Sequence, residues 1–236
     1  MRRRRLTPSF VRVTLGGAAL ARFEPQGFDQ WVRLFVPVDD GSSLARVPGR
    51  LTPRSYLRYL RLSRDERPLM RSYTVSGYRP DAAEAELDLD VVVHDEGARG
   101  ARWATTCEPG DPVALIDGGR GFVLPDGIRR VELVGDATAL PAVAGILARL
   151  PADATGRAVV QLRETADRRD LPRPPGLALD WVSDAARTVT ARPVDAVGTF
   201  GWVAGEATLV AAVRRHWLAG GLPRDRVAFC GYWRRG

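Results

Sequence analysis

The chain has 236 residues, 45% of them hydrophobic, and its 35 basic side chains, all arginine, outnumber 28 acidic ones for a net charge of +7; that length and apolar content suit two compact domains. The arginines are interleaved with acids, as from Arg163 to Asp170, and no nucleic-acid module is present, so no nucleic-acid partner is expected. With no apolar run near the ~20 residues of a membrane span, no signal-peptide stretch after Arg2 to Arg5, and only Cys107 and Cys230, far apart, the expectation is a soluble, cytoplasmic monomer without membrane insertion, disulfide framework or cysteine-bound metal.

In chain order, residues 10–15 (FVRVTL) and 31–36 (WVRLFV) read as strands from their β-branched and aromatic content. A Gly-, Ser- and Pro-rich loop follows from Asp39 to Pro53, and Arg58, Arg61 and Arg64 then recur at helical spacing. Residues 71–75 and 87–93 are the next strands. Leu87, Leu89 and Val91 alternate with Asp88, Asp90 and Val92, which predicts one dry face and one wet face. Glu108-Pro109-Gly110-Asp111 has the order of a type II turn, and residues 112–116 resume a strand. Many short strands with one internal helix predict a small antiparallel β-barrel.

Past Pro125-Asp126-Gly127 the pattern changes to strands alternating with helices. Val131–Val134, Ala158–Leu162, Thr199–Ala204 and Val227–Cys230 read as strands, with more expected at Leu179–Val182 and Val189–Ala191. Helices are expected over Ala139–Leu150, stopped by Pro151, and from Gly205-Glu206 through Leu209, Val213 and Trp217. The expected fold is therefore a two-domain β plus α/β chain. An antiparallel β-barrel over 1–124 is followed by a parallel-sheet α/β nucleotide-binding domain over 125–236.

Three places carry chemistry. Arg71 and Tyr73 share one face of a strand and offer a cation and an aromatic plane to one ligand, with Ser72 and Thr74 between and beside them, a set that suits a diphosphate attached to a flat ring system. The run His94 to Ala104 (HDEGARGARWA) then turns through glycine into a helix. In the second half, Gly135-Asp136-Ala137-Thr138 and Trp202-Val203-Ala204-Gly205-Glu206 are strand-to-helix turns whose free amides and helix dipole suit a phosphate or a nicotinamide ribose. Each also has a plainer reading, Asp136 or Thr138 as a helix cap and Trp202 as core packing.

Taken in order, RSYT at 71–74, HDEGARGARWA, the EPGD turn, VGDATALPA at 134–142, GWVAGE at 201–206 and the closing GYWRRG resemble the siderophore-interacting protein family of flavin-dependent ferric-siderophore reductases. The resemblance spans nearly the whole chain. It implies the ferredoxin-reductase-like plan of an FAD-binding β-barrel before an NAD(P)H-binding α/β domain. By the same resemblance, Arg71 offsets the FAD diphosphate, Tyr73 packs against the isoalloxazine or ribityl chain, and Thr74 bonds the ring edge near N5. Ser72, His94, Gly97, Gly100, Ala101, Arg102 and Trp103 complete the implied FAD site. Gly135, Asp136, Thr138, Ala139, Trp202, Ala204, Gly205 and Glu206 form the nicotinamide side, and Trp233 either covers the flavin or packs between the domains. No catalytic side chain and no protein-bound metal are implied.

The chain departs from the family pattern at Ser76, where RxYTxR ends in arginine, at Arg99 and Ala101, where proline and a hydroxyl are usual, and at Ala137, where GDETALPA has glutamate. Arg99, Arg102 and Arg79 are the candidates to replace the missing cation. The implied activity passes electrons from NADPH or NADH through FAD to a ferric siderophore, with Fe(II) released. A flavin reductase with another acceptor, and a non-catalytic remnant without productive FAD binding, stay open beside it.

Overall fold

Six strands fill the first half, β1 (Arg2–Thr7), β2 (Phe10–Gly16), β3 (Trp31–Val36), β4 (Leu69–Arg79), β5 (Glu86–Val92) and β6 (Ala114–Gly119), and alternate apolar side chains of β2, β3 and β5 face its core. The computed structural model describes residues 1–93 and 98–235, and its contacts divide the chain into Met1–Gln26 with Gln30–Gly119, and Gly27–Asp29 with Arg120–Gly236. In the first unit the strands form one antiparallel sheet ordered β1-β2-β5-β4-β3-β6, so β1 and β6 stand at the two ends of the hydrogen-bonded order. Val11, Val13 and Leu15 of β2, Val32 and Leu34 of β3, and Leu87, Leu89 and Val91 of β5 pack with Trp103 and Ala104 of the helix α2 (Arg99–Thr106).

The face of β5 expected to be wet is instead closed over by arginines. Asp88 is 3% and Asp90 7% exposed. Arg79 grips Asp88 with two bonds of 2.7 and 2.8 Å, Arg12 grips Asp90 with two of 2.7 and 3.1 Å, and the Thr14 hydroxyl donates to Asp88 at 2.7 Å. Strand alternation correctly separates the two faces, but the polar one is a cross-strand ladder of charges.

The turn at Glu108–Asp111 has the expected form: the Asp111 amide donates to Glu108 O at 3.2 Å, and Gly110 takes the positive φ of 99° that a type II turn demands. In the first unit's long loop, Thr52 caps the helix α1 (Pro53–Leu60) by accepting from the Ser55 amide at 3.1 Å.

The second unit is a parallel sheet of β7 (Arg130–Asp136), β8 (Thr155–Gln161), β9 (Gly176–Val182), β10 (Thr199–Glu206) and β11 (Val227–Trp233), ordered β11-β10-β7-β8-β9. Helices α3 (Leu140–Leu147), α4 (Ala185–Thr190) and α5 (Ala207–Ala219) connect the strands. One expectation fails locally, since Val189 and Thr190 end α4 rather than forming a strand. Asp184 supplies the cap that starts this helix, accepting from Arg187 N at 2.9 Å, and the β-branched Val189 follows the turn it begins.

Candidate cofactor site

In the first unit, β4 and the start of α2 converge. Arg71 and Tyr73 lie on one face of β4, and a Cβ placed at Gly100 would sit 2.5 Å from the Tyr73 hydroxyl and 3.5 Å from Arg71 Cγ. Only glycine lets the first turn of α2 come this close to both side chains. The Tyr73 ring stacks on Trp103, with centroids 6.3 Å apart and planes at 28°. Burial pushes the Tyr73 phenol up to about 12, against the opposing pull of the Arg71 charge. It is therefore a neutral hydroxyl at ordinary pH. Arg71 is exposed, and among the described residues its guanidinium donates only to the neighbouring Met70 carbonyl, at 2.8 Å. Among the described residues no side chain caps α2 at Ala98.

Other residues of the expected FAD set fall around this point. Ser72 is exposed and Thr74 buried on the alternate face of β4, where it pairs with Trp31. Ala101 and Trp103 are buried, Trp103 within the core, and Arg102 points outward to solvent. His94 and Gly97 lie outside the described residues. Ser76 is the extra residue of a bulge between Val75 and Gly77, and its Oγ accepts from the Asp90 amide at 3.2 Å. Arg79, a candidate to replace the missing family cation, is held by Asp88 and by Glu86 at 2.9 Å, so it is committed to the sheet.

In the second unit the carboxyl ends of β7, β10 and β11 meet at Asp136. Its buried carboxylate accepts from the Thr138 amide at 2.8 Å, the Thr138 hydroxyl, the Glu206 amide at 2.7 Å and Trp233 Nε1 at 2.8 Å. Gly205 makes this possible, because its φ is +134° and a Cβ there would lie 2.6 Å from Asp136 Cγ. Thus Asp136, Thr138, Gly205, Glu206 and Trp233 form one cluster, and Asp136 acts as the cap that the turn's plainer reading anticipated. Glu206 caps α5, accepting from Thr208 N at 2.6 Å and Leu209 N at 3.2 Å. Desolvation works to raise its pKa, but the amides of Thr208 and Leu209 prevail and lower it. The first amides of α5 are thereby filled by the chain's own carboxylate. Gly135 admits Ala139 against the strand end, where a Cβ would lie 2.8 Å from Ala139 Cβ.

Ala139 and Ala204 are fully buried, and Trp202, 2% exposed, sits in the core as the plainer reading had it. Its indole N–H donates to Asp29 at 3.1 Å, and Asp29 also accepts from Gly121 N at 3.0 Å and Phe122 N at 2.8 Å. Nothing in the local pattern marks Asp29, whose partners are about 90 and 170 residues away. Cys230 is exposed, on the edge strand β11.

Comparison with known proteins decides the family. Residues 1–121 match the siderophore-interacting FAD-binding domain and residues 128–236 the siderophore-interacting protein domain. The chain belongs to the siderophore-interacting protein family. Among its relatives, the ferric vibriobactin reductase ViuB of Vibrio cholerae is 28% identical over 251 residues, covering 100% of this chain and 88% of that protein. The NADPH-dependent ferric-chelate reductase of Escherichia coli is 28% identical, with 99% and 90% covered. The crystal structure of a siderophore utilization protein from T. fusca superposes with a TM-score of 0.79 at 31% identity, over 100% of this chain and 90% of that one. A ferredoxin reductase in carbazole 1,9a-dioxygenase, 18% identical with a TM-score of 0.69, shares the fold over 98% of this chain and 65% of its own. This siderophore-interacting protein thus has a ferredoxin-reductase-like fold, with a six-stranded antiparallel sheet where a barrel was expected and a parallel α/β sheet after it, and its cofactor class is FAD with a nicotinamide donor. It is an FAD-dependent oxidoreductase by family.

Proposed function

We propose that the chain is a ferric-siderophore reductase, taking electrons from NADPH or NADH through FAD to chelated Fe(III) and releasing Fe(II). The observation that carries this reading is the convergence of Arg71 and Tyr73 on a helix start that Gly100 permits and that no described side chain caps, within the unit that matches the FAD-binding domain. The donor set fits the cofactor. A diphosphate needs a cation and free amides, which Arg71 and the first turn of α2 supply, and a flat ring needs an aromatic wall, which Tyr73 supplies with Trp103 behind it. When bound there, FAD would supply the exchange between the two-electron chemistry of a reduced nicotinamide and the one-electron chemistry of ferric iron.

The chain's own residues hold and orient. Arg71 offsets the anionic bridge and the neutral Tyr73 packs against the ring system. Asp136 and Glu206 shape the nicotinamide side, and Trp233, fixed through Asp136, is the aromatic proposed to cover the flavin. No side chain is required as a proton donor to the iron. Reduction itself loosens the chelate, because the larger and less charged Fe(II) is a poorer match for hard oxygen ligands than Fe(III).

On this reading residues 1–124 carry FAD and 125–236 the nicotinamide, and the protein works as a cytoplasmic monomer. One observation favours a second reading, a scaffold that holds FAD weakly: Ser76 and Arg79 are both engaged by β5 and neither supplies the family's second cation. The experiment is to titrate the purified protein with FAD, reduce it anaerobically with NADPH or NADH, and mix it with ferric siderophores while trapping ferrous iron. Rapid flavin reoxidation with one Fe(II) per electron supports the reductase. A protein that does not retain FAD returns the remnant reading, and one that is reoxidised without ferrous iron is a reductase for another acceptor.

A further inference from the structure

The end of the parallel sheet away from Asp136 and Glu206 holds a second polar site. The first residues of β7, β8 and β10 frame a cavity of about 250 Å³ lined by Arg130, Arg157, Arg192, Thr199 and Trp217. Seven-residue strands set it about 20 Å from their carboxyl ends. Two of its groups are donors without acceptors. Among the described residues, the hydroxyl of Thr199, which is 1% exposed, makes no hydrogen bond, and the buried Nε–H of Arg130 makes none either, its 3.4 Å approach to Asp195 being an ion pair only.

Arg192 is also weakly matched. Arg157 hydrogen-bonds Asp180, and Arg192 must share that carboxylate from 3.6 Å. Glu132, 4.0 Å from Arg130, is pushed toward its neutral form by burial, against the pull of Arg130, Arg157 and Arg192. The remaining ionisable neighbour, His216, spends Nε2 on the Arg192 carbonyl at 2.9 Å. Buried donors that lack acceptors raise the free energy of the empty cavity, and a ligand oxygen relieves that cost.

We propose that this cavity binds a small oxyanion, a carboxylate or a phosphate group, through Arg192, Arg130 and the Thr199 hydroxyl, with the face of Trp217 against any apolar part of the ligand. The site lies at the strand starts and is independent of the reductase reading.

The test is calorimetric titration of the FAD-loaded full chain with inorganic phosphate and, separately, with acetate, at fixed ionic strength and with chloride as control. Saturable one-site binding of phosphate alone identifies a phosphate site, and of acetate alone a carboxylate site. Arg192→Ala and Thr199→Val should each weaken that binding about tenfold, the loss of one charge-assisted or buried hydrogen bond. Thr199→Val should also raise Tm, since it removes an unpaired hydroxyl, and Arg192, 45% exposed, can be cut without unfolding the unit. If neither anion saturates, if chloride competes as well as they do, or if both variants bind like the parent chain, the proposal is wrong.

Discussion

At the residue scale, Gly100 and Gly205 are the positions where the absence of a side chain does specific work. Adding a methyl at Gly100 meets the far end of Tyr73, which can swing away, so Gly100→Ala should leave stability within about 1 kcal/mol. The displaced Tyr73 and Arg71 should nonetheless lower FAD affinity about tenfold, about 1.4 kcal/mol, a loss that flavin-fluorescence titration measures. Unchanged FAD affinity would remove Tyr73 from the cofactor site. Gly205 has no such escape. Its positive φ and the 2.6 Å approach to Asp136 Cγ combine backbone strain with overpacking of a buried acceptor, so Gly205→Ala should cost about 2–4 kcal/mol in denaturant unfolding.

At the element scale, the ladder joining β2, β5 and β4 stabilises the sheet through charge rather than apolar burial. Desolvation works to raise the Asp88 pKa, but the hydrogen bonds from Arg79 and Thr14 and the charge of Arg12 prevail and hold it below its usual 3.8. A carboxylate held below its unfolded value contributes stability that is fully present above that value and lost as pH falls through the folded one. Acid unfolding of this unit should therefore lessen its stability below about pH 4, and Asp88→Asn should flatten that acid dependence. At neutral pH the same substitution should cost about 2–3 kcal/mol, the low end for breaking a buried pair, because Arg79 is 42% exposed and screened. A variant that keeps the parental acid slope would show the ladder to be energetically idle.

At the scale of the whole molecule, the net charge of +7 is the property that a ferric chelate meets first. If the proposed activity holds, reduction of an anionic ferric chelate should slow as ionic strength rises, because salt screens the long-range attraction, while reduction of a neutral chelate should be nearly flat. Stopped-flow rates at two salt concentrations decide it; equal slopes for both chelates would leave the arginines as ordinary solvated surface. Among the described residues no helix is long and apolar enough to cross a membrane.

Local pattern by itself determined the division into antiparallel strands and then alternating strands and helices, the glycine in the EPGD turn, and the sharing of one β4 face by Arg71 and Tyr73. These follow from backbone geometry and periods of two or about four residues, which act between near neighbours. Only the tertiary structure decided that Asp88 and Asp90 are buried, that Ser76 and Arg79 serve the sheet, that Asp136 gathers Thr138, Glu206 and Trp233, and that Asp29 holds Trp202. Each of those outcomes depends on partners brought from distant parts of the chain. A carboxylate's role is set by which donors reach it after folding, and hydropathy along the chain does not record that.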